Sequence, residues 1–488
     1  MTTLHASFTS SFSILDVVLL SLAALAYGVH RLLRVPSHLR HIPTVPLWPL
    51  MKSYLLGECE EQRVKRLVLP FAKENNTHVV LVFCLGDWMV QVLEPKIGKE
   101  LLENPAVRKQ QQPDDMLLWR LIGRNNVFMS DGEMWKRQSR IMRDALRQTT
   151  PIDVFTSLAR TTFSLIGDGG RVRWSDYTNR YTLDAVGTTV IGYDFEALAK
   201  PHGNFVRRYH DVMSAIASPA YVVLPSLERW LPRWSVRKMV DSFVDDFCKI
   251  LQEKREKPGN DVITHMFQEP GMTEVEYRDN AIVTFIGGHD TTAGALATTV
   301  YFLARFQDIQ AKLREEVHQV LGDEDPRADH YHHTPYLNAI IRESMRYNTP
   351  TNVTVPRIAD VPVQVGGYMV PAGTAMALNM CAAHHNEAVW SAPAIFDPDR
   401  FLDEAKIDSG NWVSFGLGPR RCPAKNFSLY EQRVLISMLL REYRWTLPDD
   451  SPHRDFLKNG FSAFALSLPD NVEIDFVRIA PNTTFTPM

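Results

Sequence analysis

Phe415-Gly416-Leu417-Gly418-Pro419-Arg420-Arg421-Cys422-Pro423-Ala424 sets one cysteine in a loop rich in glycine and proline. A helical pattern follows, with Phe427, Tyr430, Val434 and Met438 at i, i+3, i+7 and i+11. A thiolate there lies at a helix N-terminus, where free backbone N–H groups and the positive dipole end favour negative sulfur. Gly416 and Gly418 let the backbone approach a flat ligand without Cβ collisions, and Arg420 can reach an anionic group on it. A cysteine that ligates haem iron needs this setting: charge stabilised, geometry fixed, one face open to the macrocycle. A buried, inert thiol is the ordinary fate of a lone cysteine, and the spacing argues against it here.

The loop resembles the haem loop of the cytochrome P450 family, Phe-Gly-x-Gly-x-Arg-x-Cys-x-Gly, with the final glycine replaced by Ala424. That small-for-small change is tolerable where the local φ is negative. The resemblance implies a mainly α fold with a small β subdomain and a haem b held by Cys422. It implies further cofactor contacts from Phe415, Gly416, Gly418, Arg420 and Ala424.

The 488 residues carry 53 basic and 56 acidic side chains, a near balance that with no long basic run excludes nucleic acid as a partner. Five widely spaced cysteines form no disulfide framework and suit a reducing compartment. Phe12 to Val29 is almost wholly apolar, no Lys or Arg precedes it, and Arg31, Arg34 and Arg40 follow. A span of about 17–25 such residues crosses a bilayer, and the charge asymmetry puts the N-terminus in the lumen. A cleaved signal peptide is the competing reading, disfavoured by the missing basic n-region. The expected organisation is a lumenal 1–11, a transmembrane anchor 12–30, a basic and Pro-rich connector 31–50, and a haem-thiolate catalytic domain 51–488. The expected location is the endoplasmic reticulum membrane, single-pass, with the catalytic domain cytosolic.

Glu274 to Phe302 reads as a long helix interrupted by Gly287-Gly288-His289-Asp290-Thr291-Thr292. Adjacent glycines inside a helix cost about 1 kcal/mol each against alanine, so close approach of a cofactor, with local widening of the helix, is expected there. Asp290 and Thr291 beside that gap can pass protons from solvent to dioxygen. The family pattern Ala/Gly-Gly-x-Asp/Glu-Thr-Thr/Ser matches at every position. Resemblance then implies a monooxygenase, since members that rearrange peroxides often lack the acid–alcohol pair.

Glu343 and Arg346 match the family's buried Glu-x-x-Arg, which Arg400 of Phe396-Asp397-Pro398-Asp399-Arg400-Phe401 should join. Arg357, after Val355-Pro356, matches a position that pairs with a haem propionate. Trp135 opens what resembles the family's Trp-x-x-x-Arg helix, but position 139 is Ser139. Arg140 is chosen for the missing arginine, with Lys136 as the alternative. Lys136, Arg137, Arg140, Arg421 and Lys425 form either a plain solvated face or the docking face for an NADPH-cytochrome P450 reductase, which would pass electrons from NADPH through its flavins.

Val127, Phe128, Phe285, Gly287, Asn352, Val353, Phe461 and Phe464 are the expected substrate-pocket residues, giving a largely apolar pocket for a lipophilic small molecule. Tyr221 to Pro225, with Trp230, Leu231 and Trp234, either meet membrane lipid or pack as core. The general texture resembles fungal microsomal members, which favours a terpenoid or other secondary metabolite. A fatty-acid or xenobiotic hydroxylase, or a haem-thiolate isomerase that does not use O2, are the alternatives.

Overall fold

Thr273 starts the longest helix in the computed structural model, which describes residues 14–111, 116–148, 151–403, 410–462 and 466–480. Its hydroxyl accepts from Glu276 N while the Glu276 carboxylate accepts from Thr273 N, a reciprocal cap for Glu274–Arg305. Every residue from Thr292 to Ala304 is buried, so the C-terminal half of this helix is enclosed on all sides rather than amphipathic. Helices Trp174–Val186, Pro335–Tyr347 and Lys425–Glu442 pack against it. Phe155 and Phe427, edge to face at 5.2 Å, lie within this helical core.

Among the described residues, twelve short strands make up the β part. β1 (Val79–Cys84), β2 (Asp87–Val92), β8 (Ala375–Leu378), β5 (Arg357–Ala359) and β3 (Val107–Lys109) form one sheet in that order. Leu85 and Gly86, both at positive φ, close the β1–β2 hairpin, and β2 runs parallel to β8. β4 (Gly169–Arg173), β12 (Glu473–Arg478) and β9 (Tyr443–Thr446) form a second sheet. Hairpins β6–β7 (Val363–Val365, Tyr368–Val370) and β10–β11 (Asn459–Gly460, Leu468–Pro469) complete the set. The expected mainly α fold with a small β subdomain is what the chain forms.

The structure adds to two expectations about the N-terminal part. The basic and Pro-rich connector 31–50 is packed onto the rest of the chain, with Leu39, Ile42, Val45 and Leu50 buried against the first sheet. Val45 N donates to Leu81 O and Leu81 N to Pro43 O, tying the segment to β1. Helix Ile14–Leu33 does form, carrying exposed Val17, Val18, Leu19, Leu20 and Tyr27. Among the described residues, however, no helix is long and apolar enough to cross a membrane. The expected lumenal segment 1–11 lies outside the described residues.

The long helix also fixes the loop that precedes helix Gly132–Gln148. Asp279 accepts from the backbone N–H of Arg124 and Asn125, and Asn280 Oδ1 accepts from Val127 N at 2.9 Å. Gly123 makes this possible: its φ is +69°, and a Cβ would stand 2.0 Å from the Asp279 carboxyl carbon. Gly123→Ala should therefore displace the loop and destabilise the protein by about 1–3 kcal/mol. Thermal unfolding should show a midpoint several degrees lower; an unchanged midpoint would refute this account of the loop.

Candidate active site

Cys422 stands between a 3-10 turn, Gly418–Arg420, and helix Lys425–Glu442. Its N–H donates to Phe415 O at 2.9 Å, closing the loop on itself. Gly416 and Gly418 have φ of +73° and +69°, so both positions call for glycine. Ala424 has φ −93°, the negative value under which its replacement of glycine carries no strain. Burial pushes the Cys422 thiol up, while the Ala424 N–H and the Lys425 charge oppose this. A cationic ligand on sulfur tips that balance to thiolate.

Cys422 opens onto a cavity of about 480 Å³ that also meets Phe415, Gly416, Arg420, Ala424, Trp135 and Arg357. Gly287 faces it from the long helix, where a Cβ would meet nothing within 4 Å. Gly288 has a second reason to lack a side chain, since a Cβ there would lie 3.0 Å from Val186 Cγ2 on the neighbouring helix. The expected widening is absent: the helix remains α throughout, and Thr291 Oγ1 donates to Gly287 O at 2.8 Å. Thr291 borders the cavity but Asp290 does not. The Asp290 carboxylate is turned aside, accepting from the buried Tyr209 hydroxyl at 2.9 Å, with His289 Nδ1 2.8 Å from its other oxygen.

The charge at one end of the cavity tests whether a porphyrin fits. Lys109 and Arg357 are buried and stand directly opposite each other in the β3–β5 register, a like-charge pairing that is unfavourable by itself. The Arg357 side chain makes no hydrogen bond or ion pair among the described residues, and its Nε is buried and unpartnered. Burial, reinforced by Arg420, pushes it down to about 10. Burial, then Arg357 and Arg420, hold the Lys109 ammonium well below its ordinary range. Arg420 pairs with Asp131, donates to Ser130 O and covers the Trp135 ring at 4.1 Å. Three basic groups crowd against the single carboxylate of Asp131, and the burial and mutual repulsion that disfavour their charge would be relieved by anions such as the two propionates of haem b. The residues present therefore fit the group.

Lys109 was invisible to motif reading because the β3–β5 pairing, not spacing in the chain, brings it to the site. Arg140 does not reach the cavity: it is one helical step beyond Ser139, which shares the Trp135 face, and is exposed. Lys136 is exposed and pairs with Glu133. Arg137 pairs with Glu276 at the cap of the long helix, while Arg421 is exposed and Lys425 lies 5.4 Å from the Trp412 ring.

Of the expected pocket residues, Val127, Phe128, Gly287, Val353 and Phe461 line the cavity. Phe285 instead packs among Phe195, Phe205 and Phe247, because two residues before Gly287 is the opposite side of a helix. Val283 and Thr284, at the helical spacing from Gly287, line the cavity and were findable by that rule. Asn352 is buried and spent on Ser467 Oγ and on the N–H of Met380. Phe464 lies outside the described residues.

Glu343 and Arg346 are fully buried and joined by two hydrogen bonds, 2.7 and 2.8 Å, and Arg400 Nε reaches Glu343 at 3.3 Å. Arg346 also donates to His384 O, and His384 Nε2 accepts from Val413 N, shortly before the cysteine loop.

The sequence profile of the family described as Cytochrome P450 matches residues 43–473. The chain belongs to the cytochrome P450 family. It is similar to the cytochrome P450 monooxygenase xanG of Aspergillus fumigatus, 22% identical over 85% of this chain and 84% of that protein. The 7-deoxyloganic acid hydroxylase of Catharanthus roseus is 25% identical over 81% and 82%. The haem domain of cytochrome P450DA shares the fold, with a TM-score of 0.78 and 23% identity over 91% of this chain and 99% of that one. As a P450, the protein is a monooxygenase, and its family implies a haem cofactor. Removing Glu343 strands the buried Arg346 and the part-buried Arg400, a loss of about 3–5 kcal/mol. Glu343→Ala should yield protein with less than about half the wild-type haem per polypeptide, and full haem content would refute the role assigned to the network.

Proposed function

We propose that this P450 inserts one oxygen atom of O2 into a lipophilic small molecule, by hydroxylation or a related oxidation, while bound to a membrane. The observation that carries the proposal is the convergence of Cys422, the unpartnered Arg357 and the Gly287–Thr291 face on one cavity. A haem b held there by Cys422 supplies dioxygen activation and oxygen insertion. Arg357, Lys109, Arg420 and Trp135 would hold its two carboxylates at one end of the cavity. Thr291 borders the cavity while its hydroxyl donates to Gly287 O, and Asp290, held by Tyr209, would bring protons to it by turning toward Thr291. A haem-thiolate isomerase would have no use for this acid–alcohol pair.

Lys136, Arg140, Arg421 and Lys425 support docking of an acidic NADPH-dependent flavoprotein reductase on the cysteine side. The mostly apolar cavity supports a lipophilic substrate, with a terpenoid or other secondary metabolite as the reading its sequence texture favours. The exposed apolar side chains of helix Ile14–Leu33, with the basic residues after it, support attachment to the endoplasmic reticulum membrane with the catalytic domain on the cytosolic side. Exposed Trp48, Leu55 and Leu56, with exposed Trp230, Leu231 and Trp234, add apolar surface for the same bilayer.

Reduced, carbon monoxide-bound protein should give a strongly red-shifted Soret band that is lost in Cys422→Ser. The same band in both proteins would end the haem-thiolate reading. Full-length protein should sediment with phosphatidylcholine vesicles in 1 M salt, and Val17→Asp combined with Leu20→Asp should release most of it. Release of the wild type by salt alone would show that helix Ile14–Leu33 is no anchor.

A further inference from the structure

The cavity carries charge in two separate places. One is the Lys109–Arg357–Arg420 cluster already described. The other is on the helix that starts at Glu60, where Glu60 and Arg63 border the cavity beside Tyr54 and Cys84. The charged and polar groups acting on Arg63 are Glu60, Tyr54, Glu58 and Cys59, whereas those acting on Arg357 are Arg420 and Asp131. The two clusters share no member, so the second stands apart from the cofactor.

Arg63 has no spare charge to offer a ligand. It is 2% exposed and pairs with Glu60, donates from Nε to Ser53 Oγ at 3.0 Å and from Nη2 to Glu58 O at 2.6 Å, and covers the Tyr54 ring at 3.6 Å. Glu60 spends one oxygen, Oε2, on Arg63. Its Oε1 accepts no hydrogen bond among the described residues, and the side chain keeps 13% exposure where it borders the cavity. It is also the one carboxylate among the described residues lining that cavity. Directly after Arg63 the helix opens into a π turn, Val64–Val68, a local widening that in helices often accompanies a functional site.

We infer that Glu60, held in place by Arg63, accepts a hydrogen bond from a hydroxyl group on the end of the substrate remote from the oxidised carbon, and that the same carboxylate turns away substrates ending in a carboxylate. The inference rests on the monooxygenase reading and narrows its substrate class to neutral lipophilic alcohols. A hydroxyl satisfies Oε1 in a water-poor site. A fatty-acid carboxylate would meet a like charge there, with the neighbouring cation already neutralised. A site built to bond a hydroxyl discriminates strongly, because the wrong ligand leaves its buried acceptor unpaired or repelled.

Equilibrium dialysis of labelled 1-dodecanol and dodecanoate against the full-length, haem-loaded protein at neutral pH tests this directly. The wild type should bind dodecanol at least about tenfold more tightly, a difference of about 1.4 kcal/mol. Glu60→Gln removes the charge while keeping an oxygen for Arg63, so dodecanoate should gain at least about tenfold and dodecanol should lose. Glu60→Asp withdraws the carboxylate but keeps its charge, so dodecanol should weaken while dodecanoate stays excluded; this variant carries the test if the glutamine protein does not fold. Equal or tighter binding of dodecanoate by the wild type, an unchanged ratio in both variants, or no binding of either ligand to haem-loaded protein overturns the inference. A wild type that binds no haem, visible in its absorption spectrum before any dialysis, overturns the monooxygenase reading itself.

Discussion

A carboxylate and a guanidinium with no exposure to water persist only when every charge and donor finds a partner, and Glu343 and Arg346 meet that condition. Glu343 accepts from Arg346, from Arg400 and from the N–H of Asp397, binding the segment around Phe396–Phe401 to helix Pro335–Tyr347. Arg346 reaches outward to the carbonyls of His384 and Pro393. His384 then receives Val413 N, and Ser414 Oγ donates to Met345 O. The loop that presents Cys422 therefore hangs from the buried ion pair through a short chain of hydrogen bonds. Burial and the charge of Arg346 hold His384 well below its ordinary range, so its imidazole stays neutral and free to accept that N–H.

The opposite wall of the cavity depends on the long helix. Its capping box fixes where it starts, its enclosed C-terminal half fixes its position, and Asp279 and Asn280 pin the loop that carries Val127 and Phe128. Gly287 and Gly288 then divide two tasks, one leaving cavity space and the other letting helix Trp174–Val186 come close. The cavity is thus defined by backbone approach as much as by side chains, with basic groups gathered where the first sheet meets Trp135.

Motif spacing made much of the site legible. The cysteine loop, the acid–alcohol pair, the Glu343–Arg346 pair and Arg357 all sit within short stretches whose local geometry is set by neighbours in the chain. Phe285 and Arg140 were misplaced by small steps, each on the wrong face of a helix whose turn is 3.6 residues. Periodicity applied more strictly would have favoured Val283 and Thr284. Residues 31–50 read as a connector from their prolines, yet Leu39, Ile42 and Val45 bury themselves against the first sheet. Local composition could not reveal a partner surface supplied by β1.

What the sequence determined by itself was the local equipment: one cysteine in a loop shaped for a flat ligand, a glycine pair and a threonine on one long helix, and a buried ion pair that ties the cysteine loop in place. Those features are short-range and follow from backbone conformation and helical repeat. What only the tertiary structure decided was which distant charges meet. Lys109 faces Arg357 because β3 and β5 pair in that register, Tyr209 holds Asp290 because two helices cross, and Glu60 borders the cavity because its helix lies beside the β1–β2 hairpin. Such contacts join residues far apart in the chain, and their strength comes from removal of water, which no local pattern encodes.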